Sequence, residues 1–218
     1  MAKKNEMNFN PLFASPLMKI QLDLDTDKLT EFAFQMRDND KKGLADGINN
    51  GGWQSNNIIE ENHEEFKKLK KEITHHLQVY HSTIFQGMKF KGNVTQTLAT
   101  IWAIINEKHQ YVDWHTHPFA TLSGVFYIKH DGVENGNILF KHPEHPQMTY
   151  LNWPSEIVES YNEVTSSVVN LTPKSNMLLI FPAWLNHSTA MNLYNDPRIS
   201  LSFNSILKLP ETNERKVV

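Results

Sequence analysis

The stretch MLLIFPAWLNHSTAMNLYNDPRISLSFN, residues 177–204, carries the clearest structural signal in this chain. It opens with an apolar run, Met177–Phe181, which is typical of a buried strand. The turn residues at 195–197 (NDP) reverse the chain, and the residues after them alternate apolar with polar side chains. The stretch therefore predicts a hairpin in which a strand His187–Leu193 is followed by a strand Arg198–Leu207.

Short strand patterns of the same kind begin near residue 94 and continue to this hairpin, separated by turn residues. The further candidate strands are Val94–Asn106, Tyr111–His117, Leu122–Lys129, Asn137–Phe140, Thr149–Asn152 and Ser166–Leu171. So many short strands with few residues between them are typical of a closed or sandwiched antiparallel sheet, such as a jelly roll or a cupin-like barrel.

Helical patterns are confined to the N-terminal part of the chain. A strand Pro16–Leu24 precedes a short helix that Asp25 or Thr26 can cap, and an amphipathic helix is predicted over Glu60–Tyr80. Between the helices, the composition of Asn49–Asn57 (NNGGWQSNN) favours a loop anchored by Trp53.

The predicted class is mostly β with N-terminal helices (α+β), folded as one domain over residues 1–218. In this prediction residues 1–87 pack outside a β core formed by residues 88–210. A chain of this length can enclose one core together with a ligand cavity.

The composition excludes several classes of protein. The chain has 21 Lys and Arg against 24 Asp and Glu, dispersed along it, so no basic footprint for nucleic acid is present. It contains no cysteine, which excludes disulfides, thiolate chemistry and iron–sulfur clusters. The longest apolar run, residues 177–185, contains a proline and is too short for a bilayer, and the first ten residues do not resemble a signal peptide. We therefore expect a soluble, cytoplasmic protein.

Three of the eleven histidines form a candidate metal site. His115 and His117 lie two apart in YVDWHTHP, and side chains two apart on a strand project from one face. His187 follows a buried strand and begins the next one. Three imidazoles suit iron, zinc, nickel or copper and leave positions open for substrate and oxygen. A pair of surface histidines at 115 and 117 is the alternative.

Other histidines have simpler explanations. Surface or rim positions beside the long helix are expected for His63, His75, His76 and His81. A clip formed by His142, Glu144 and His145 is disfavoured, because a loop with two prolines does not hold ligand geometry.

A polar row runs along the last predicted strand. Arg198, Ser200, Ser202 and Asn204 alternate there with Ile199, Leu201 and Phe203. If the polar row faces solvent it has no special meaning. If it faces the interior, the arginine needs an anionic partner, because an unpaired buried charge is costly, and a carboxylate ligand would meet that need.

Five short motifs occur in a fixed order: H-x-H at 115–117, LSGVFYIK at 122–129, GNILF at 136–140, MLLIFPAWLNH at 177–187 and RISLSFN at 198–204. As a set, over Trp102 to Asn204, they resemble the iron(II)/2-oxoglutarate-dependent oxygenase superfamily. The match is to a branch with an H-x-H…H metal motif that occurs in bacteria and marine phages. The resemblance implies a double-stranded β-helix.

The resemblance also implies the metal ligands. His115 matches the first ligand and His187 the distal histidine. His117 stands where most of the superfamily has Asp or Glu, which is a departure. Asp113, on the same predicted strand face, is the nearest substitute carboxylate.

For the co-substrate, Arg198 and Ser200 match the pair that holds the far carboxylate of 2-oxoglutarate. A planar guanidinium suits a carboxylate, and a hydroxyl adds a donor. Tyr127 is a further candidate, or Phe126 if the strand parity differs, and Asn106 is a candidate for the pocket wall.

The activity implied is that of a dioxygenase that uses iron(II) and 2-oxoglutarate, converts 2-oxoglutarate to succinate and CO2, and hydroxylates a small-molecule or peptidyl substrate. The loops 49–57 and 131–149 are candidates for a lid. A phage-encoded chain would act in the host cytoplasm. Two alternatives stay open: a cupin-type metalloenzyme that uses three histidines without 2-oxoglutarate, and a non-enzymatic binding barrel.

Overall fold

The computed structural model describes residues 12–44, 47–130, 132, 136–144 and 158–209. The helices and strands are, in chain order, β1 (Met18–Gln21), α1 (Thr26–Asn39), β2 (Asn49–Asn50), β3 (Trp53–Gln54), α2 (Glu64–Ile84), β4 (Thr95–Asn106), β5 (Tyr111–Val112), β6 (Leu122–Lys129), β7 (Ile138–Lys141), β8 (Val168–Leu171), β9 (Met177–Pro182), β10 (His187–Thr189) and β11 (Arg198–Lys208). In the part of the chain so described, neither helix is long and apolar enough to cross a membrane.

The strands form a large sheet in the order β1-β9-β6-β11-β4-β3 and a small sheet in the order β10-β7-β8. Neighbouring strands pair antiparallel in both sheets. A cluster of buried side chains joins the two, with Val125 and Phe181 from the large sheet against Ile138 and Phe140 from the small one. This arrangement confirms the predicted mostly-β fold.

The N-terminal helices cover the outer face of the large sheet. Asp25 caps α1 by accepting a hydrogen bond from the Lys28 backbone, as its position before an apolar pattern indicates. Leu29 of α1 and Leu77 of α2 are fully buried in one cluster with Leu201 of β11. Burial of apolar surface between the helices and this face supplies the main core.

The two faces of the large sheet carry different side chains along β11. Ile199, Leu201 and Phe203 are fully buried on the helix side, whereas Arg198 and Ser202 line a cavity on the inner side. Of the two orientations left open by the alternating pattern, the structure has the polar row facing inward.

One predicted loop is wrong. Residues 49–57 contain β2, which pairs with β5, and β3, which pairs with β4. Trp53 is buried as expected, and its ring nitrogen donates to the Asp40 carbonyl oxygen at 2.7 Å. Composition favoured a loop because Asn and Gly lack strand propensity, but the edge of β4 supplies partners for this backbone.

Other boundaries shift. The strand predicted over 111–117 ends at Val112, because the Asp113 carboxylate accepts a hydrogen bond from the Trp114 backbone at 2.7 Å and turns the chain. The strand predicted over 187–193 ends at Thr189. The strand predicted over 16–24 spans only Met18–Gln21. The long helix begins at Glu64 rather than residue 60, and the strand from residue 166 begins at 168. The strand predicted over 149–152 lies outside the described residues.

Candidate metal and co-substrate site

The three candidate histidines come together in the cavity between the sheets. His115 and His187 form an isolated β-bridge through two backbone hydrogen bonds of 2.9 and 3.0 Å. The backbone nitrogen of His117 donates to the Ala183 carbonyl oxygen at 2.9 Å. One ligand atom from each ring lies within 4.8 Å of the others. These hydrogen bonds bring the H-x-H segment to His187. The regular strand that was predicted over residues 111–117 does not extend that far.

Backbone carbonyl groups orient two of the rings. His115 Nδ1 lies 2.7 Å from the Asp113 carbonyl oxygen, and His187 Nδ1 lies 2.8 Å from that of Leu185. A carbonyl oxygen only accepts, so each Nδ1 carries the proton and each Nε2 presents a lone pair. His117 Nε2 is 3.3 Å from His187 Nε2. Ring nitrogens gathered in this way fit a divalent transition metal.

Burial keeps two of these imidazoles neutral. Burial, together with the neighbouring His115 ring, lowers the pKa of His117 to about 4 and that of His187 to about 3. A neutral imidazole is the form that binds a metal.

The structure does not bring the Asp113 carboxylate into the histidine group. Asp113 is exposed, its carboxylate accepts from the Trp114 backbone, and only its carbonyl oxygen meets a ring, at His115. Of the disfavoured clip, the His142 Nδ1 accepts a hydrogen bond from the Glu144 backbone at 3.1 Å. His145 lies outside the described residues.

Arg198 lies in the same cavity, lined also by the three histidines, and is only 6% exposed. Its Nη1 donates to Asn106 Oδ1 at 3.0 Å, and its Nε is buried without a hydrogen-bond partner. Within the described ranges, no carboxylate lies within ion-pair distance of the guanidinium. A buried guanidinium with a neutral partner leaves room for an anion in the cavity.

Two buried hydroxyl groups near this end of the cavity have no hydrogen-bond partner: Tyr127 Oη, which lines the cavity, and Ser200 Oγ, whose residue pairs with Tyr127. The Arg198 guanidinium carbon lies 5.2 Å from the centre of the Tyr127 ring. Burial raises the pKa of Tyr127, so the phenol keeps its proton and can donate it in a hydrogen bond. Phe126 belongs to the helix-side core, so of the two candidates only Tyr127 faces the cavity.

Residues that the sequence analysis did not identify hold this end of the site. Asn106 Nδ2 donates to Asn49 Oδ1 at 3.0 Å, and a Cβ at Gly52 would overlap both of these side chains. Gly136 has a φ of +60°, and a Cβ there would lie 2.9 Å from the Arg198 Cδ. The glycines in NNGG and in GNILF were the available signals, since glycine permits close approach and positive φ.

Two antiparallel sheets with three histidines converging between them define a metal-binding protein of the double-stranded β-helix class. Residues 100–204 match the model of a family described as "Putative 2OG-Fe(II) oxygenase". The part of the chain that carries the resemblance therefore matches a family of iron(II)- and 2-oxoglutarate-dependent oxygenases, as the motifs implied. Searched as a sequence, it matches no curated protein.

Solved structures share the fold. A prolyl-4-hydroxylase from Pseudomonas putida is 12% identical with a TM-score of 0.58, covering 89% of this chain and 95% of that one. The 2-oxoglutarate-dependent epimerase SnoN from nogalamycin biosynthesis is 14% identical with a TM-score of 0.60, covering 92% and 83%. HygX from Streptomyces hygroscopicus, with nickel, 2-oxoglutarate and hygromycin B bound, is 12% identical with a TM-score of 0.57, covering 88% and 82%. The predicted double-stranded β-helix is thus confirmed.

Proposed function

We propose that this protein is a dioxygenase in which His115, His117 and His187 hold iron(II), while Arg198 and its neighbours hold 2-oxoglutarate. The overall reaction consumes O2 and 2-oxoglutarate and yields succinate, CO2 and a hydroxylated substrate. The family assigns the cofactors, and the arrangement of this chain's own side chains supports the individual residue roles.

One observation carries the proposal. Arg198 Nε, Tyr127 Oη and Ser200 Oγ are buried, and no hydrogen-bond partner among the described residues satisfies them. Arg198 and Tyr127 line the cavity, and Ser200 pairs with Tyr127 across the two strands. Buried polar atoms without partners are rare because each costs about 1–3 kcal/mol. A carboxylate accepts from all three groups at once, and Arg198 would carry the compensating charge. A short dicarboxylate would thereby extend from the histidines to the arginine.

When bound, iron(II) supplies the redox chemistry that couples oxidation of 2-oxoglutarate to oxidation of the substrate. The protein's contribution is position and exclusion of water. The carbonyl groups of Asp113 and Leu185 fix the orientation of two imidazoles. The ring of Phe181 packs 4.8 Å from the His187 ring and Trp102 packs 5.8 Å from His117, which shields that side of the site from solvent.

His117 changes the charge of the site. A ligand set with one carboxylate reduces the charge of a divalent metal by one, whereas three neutral imidazoles leave it at two. 2-Oxoglutarate would bring one carboxylate to the metal, because its other carboxylate pairs with Arg198, and this carboxylate would offset one of the two positive charges. We therefore expect this chain to bind the metal more weakly alone than with 2-oxoglutarate present, because each ligand raises the affinity of the other.

The substrate in this proposal is a small molecule or a peptidyl group. The neighbours include a prolyl-4-hydroxylase and an enzyme with hygromycin B bound, so the fold accommodates both kinds. As the sequence leads us to expect, we also propose that the protein acts in the cytoplasm and has no nucleic-acid partner.

The test is titration of tag-free protein with Mn(II), followed by titration with 2-oxoglutarate, under anaerobic conditions. We expect one metal per chain and tighter metal binding when 2-oxoglutarate is present. With Fe(II) and O2, succinate should form. Stoichiometric metal without any 2-oxoglutarate binding would favour the three-histidine cupin alternative, and no metal binding would favour the non-enzymatic barrel.

A further inference from the structure

The inward-facing residues of the large sheet lie in successive levels, because paired strands place directly opposite residues on the same face. Arg198 of β11 pairs with Asn106 of β4, which forms one end of the series. Four residues along, Ser202 pairs with Trp102. Asn204 forms the next level, about 20 Å along the strand from Arg198 at roughly 3.3 Å per residue.

The histidine rings pack against two levels of this series, the level of Trp102 and the level of Phe181. The His117 ring lies 5.8 Å from the Trp102 ring, and the His187 ring lies 4.8 Å from Phe181. Phe181 pairs with Ser123, which pairs in turn with Asn204. 2-Oxoglutarate would therefore occupy the levels between the histidines and Arg198. The level of Asn204 lies at the histidine end of the series, away from Arg198, and we expect a substrate to approach there.

Two side chains at that level are polar and available. Ser123 Oγ donates to Asn204 Oδ1 at 2.6 Å, which uses the amide oxygen and leaves the Nδ2 hydrogens to donate. Thr100, directly opposite Asn204, has a buried Oγ1 with no hydrogen-bond partner. Asn204 and Thr100 are half-buried as residues, although the Thr100 Oγ1 itself is covered.

Among the described residues, the inward positions at this level are Thr100, Ser123, Phe181 and Asn204, and Trp102 lies one level closer to Arg198. None of these side chains ionises near neutral pH. A charged group placed here would lie half-buried without a counterion, which is unfavourable. A neutral acceptor such as a carbonyl oxygen matches the free amide hydrogens, and the Trp102 indole supplies an apolar wall.

We propose that Asn204, Thr100 and Trp102 form a subsite that holds a neutral amide or carbonyl group of the substrate beside the metal. This inference rests on the proposed function, since it places the substrate relative to the metal and 2-oxoglutarate. An amide of this kind occurs in a peptide backbone and in many small molecules. A short and a long amide probe distinguish these two classes of substrate.

The experiment measures broadening of probe protons by paramagnetic Mn(II) in protein loaded with Mn(II) and 2-oxoglutarate. The neutral probes are acetamide and capped trialanine amide, and methylammonium is the cationic probe. We expect both neutral probes to be broadened and methylammonium not. Tighter binding of trialanine assigns a peptidyl source, and equal affinities assign a small molecule.

The decisive variant is Asn204→Asp, which keeps an acceptor for Ser123 but removes the amide hydrogens and adds a charge. It should weaken neutral-probe binding about tenfold, as loss of a hydrogen bond implies, and should admit methylammonium. Asn56→Asp adds the same charge at an exposed position. It should change neither the binding of the neutral probes nor that of methylammonium. Thr100→Val should weaken the neutral probes in the same direction.

Each failure points to a different error. If wild-type protein binds neither Mn(II) nor 2-oxoglutarate, the proposed function is wrong. If it binds both but the neutral probes are not broadened, or bind equally to Asn204→Asp, the subsite is wrong and the proposed function stands. If Asn204→Asp loses affinity for 2-oxoglutarate itself, Asn204 belongs to the co-substrate pocket and the subsite is likewise overturned.

Discussion

The two faces of β11 differ completely although they alternate along one strand. Ile199, Leu201 and Phe203 are fully buried against the helices, and their contribution is packing. Arg198 and Ser200 are almost equally buried on the other face, yet both have polar atoms without partners. The comparison shows that burial alone does not distinguish a core from a site. The distinguishing property is whether the buried atoms are satisfied.

The largest expected effect is on the packed face. Phe203→Ala should lower the free energy of unfolding by about 3–5 kcal/mol, because it leaves a cavity in a close-packed cluster. Phe203 also lies over Gly124, where a Cβ would overlap its ring. Urea denaturation of the metal-free protein measures the loss. Ser202→Ala, the neighbour on the inner face, is the control and should change stability little.

On the inner face, Arg198→Met should weaken 2-oxoglutarate binding by about 100-fold or more, since it removes the buried charge that pairs with a carboxylate. Mn(II) affinity without 2-oxoglutarate should stay unchanged. Calorimetric titration with each ligand separates the two. Unchanged 2-oxoglutarate affinity in this variant would remove Arg198 from the co-substrate site.

A third test concerns the histidines. His117→Ala should weaken Mn(II) binding by at least about 100-fold, since even residues that only orient a ligand contribute up to that much. His117→Asp should still bind, because a carboxylate is the commoner ligand at this position in the superfamily. Asp113→Asn is the matched control and should bind normally. Metal affinity that is indifferent to His117→Ala would remove His117 from the ligand set.

The neutral partner of Arg198 provides a smaller effect. Asn106→Asp keeps the shape of the side chain but places a carboxylate 3.0 Å from the guanidinium, so the arginine no longer needs an anion from the cavity. We expect 2-oxoglutarate affinity to fall roughly tenfold to 100-fold, in the range of a charge-assisted contact. Competition titration measures it, with Mn(II) affinity as the internal control. Unchanged affinity would show that the cavity does not use the charge of Arg198.

For a single ring over one pH unit, the smallest expected effect is on the pH dependence of stability. Burial lowers the pKa of His117 to about 4 and of His187 to about 3, below the ordinary 6.5. Below pH 6.5 the unfolded chain takes up protons that the metal-free native state does not, so stability is lost as the pH falls toward 4. Each ring contributes a slope of up to about 1.4 kcal/mol per pH unit. Urea unfolding between pH 7.5 and 5 measures the slope, and replacing both rings with Gln should reduce it. An equal slope in that variant would contradict the burial of the rings.

Much of the fold follows from local patterns. The apolar run of β6, the period of two in β11 and the helical period of α2 reflect how each element is buried, so the strands Leu122–Lys129 and Arg198–Lys208 were predictable within one residue. The short strands β2 and β3 were not, because a partner strand and not their own propensity makes them extended.

The candidate site divides in the same way. The sequence alone indicated the three histidines, the arginine and the alternation of its strand, because residue type and spacing carry that information. Only the tertiary structure decided that the polar row faces inward, that Tyr127 and not Phe126 shares its cavity, and that Asp113 turns away from the histidines. Nor could any local pattern reveal the contact between Asn106 and Asn49, or the level at which Thr100 meets Asn204. Those relations depend on the register of strands that are distant in the chain, and register is set by the packing of the whole sheet.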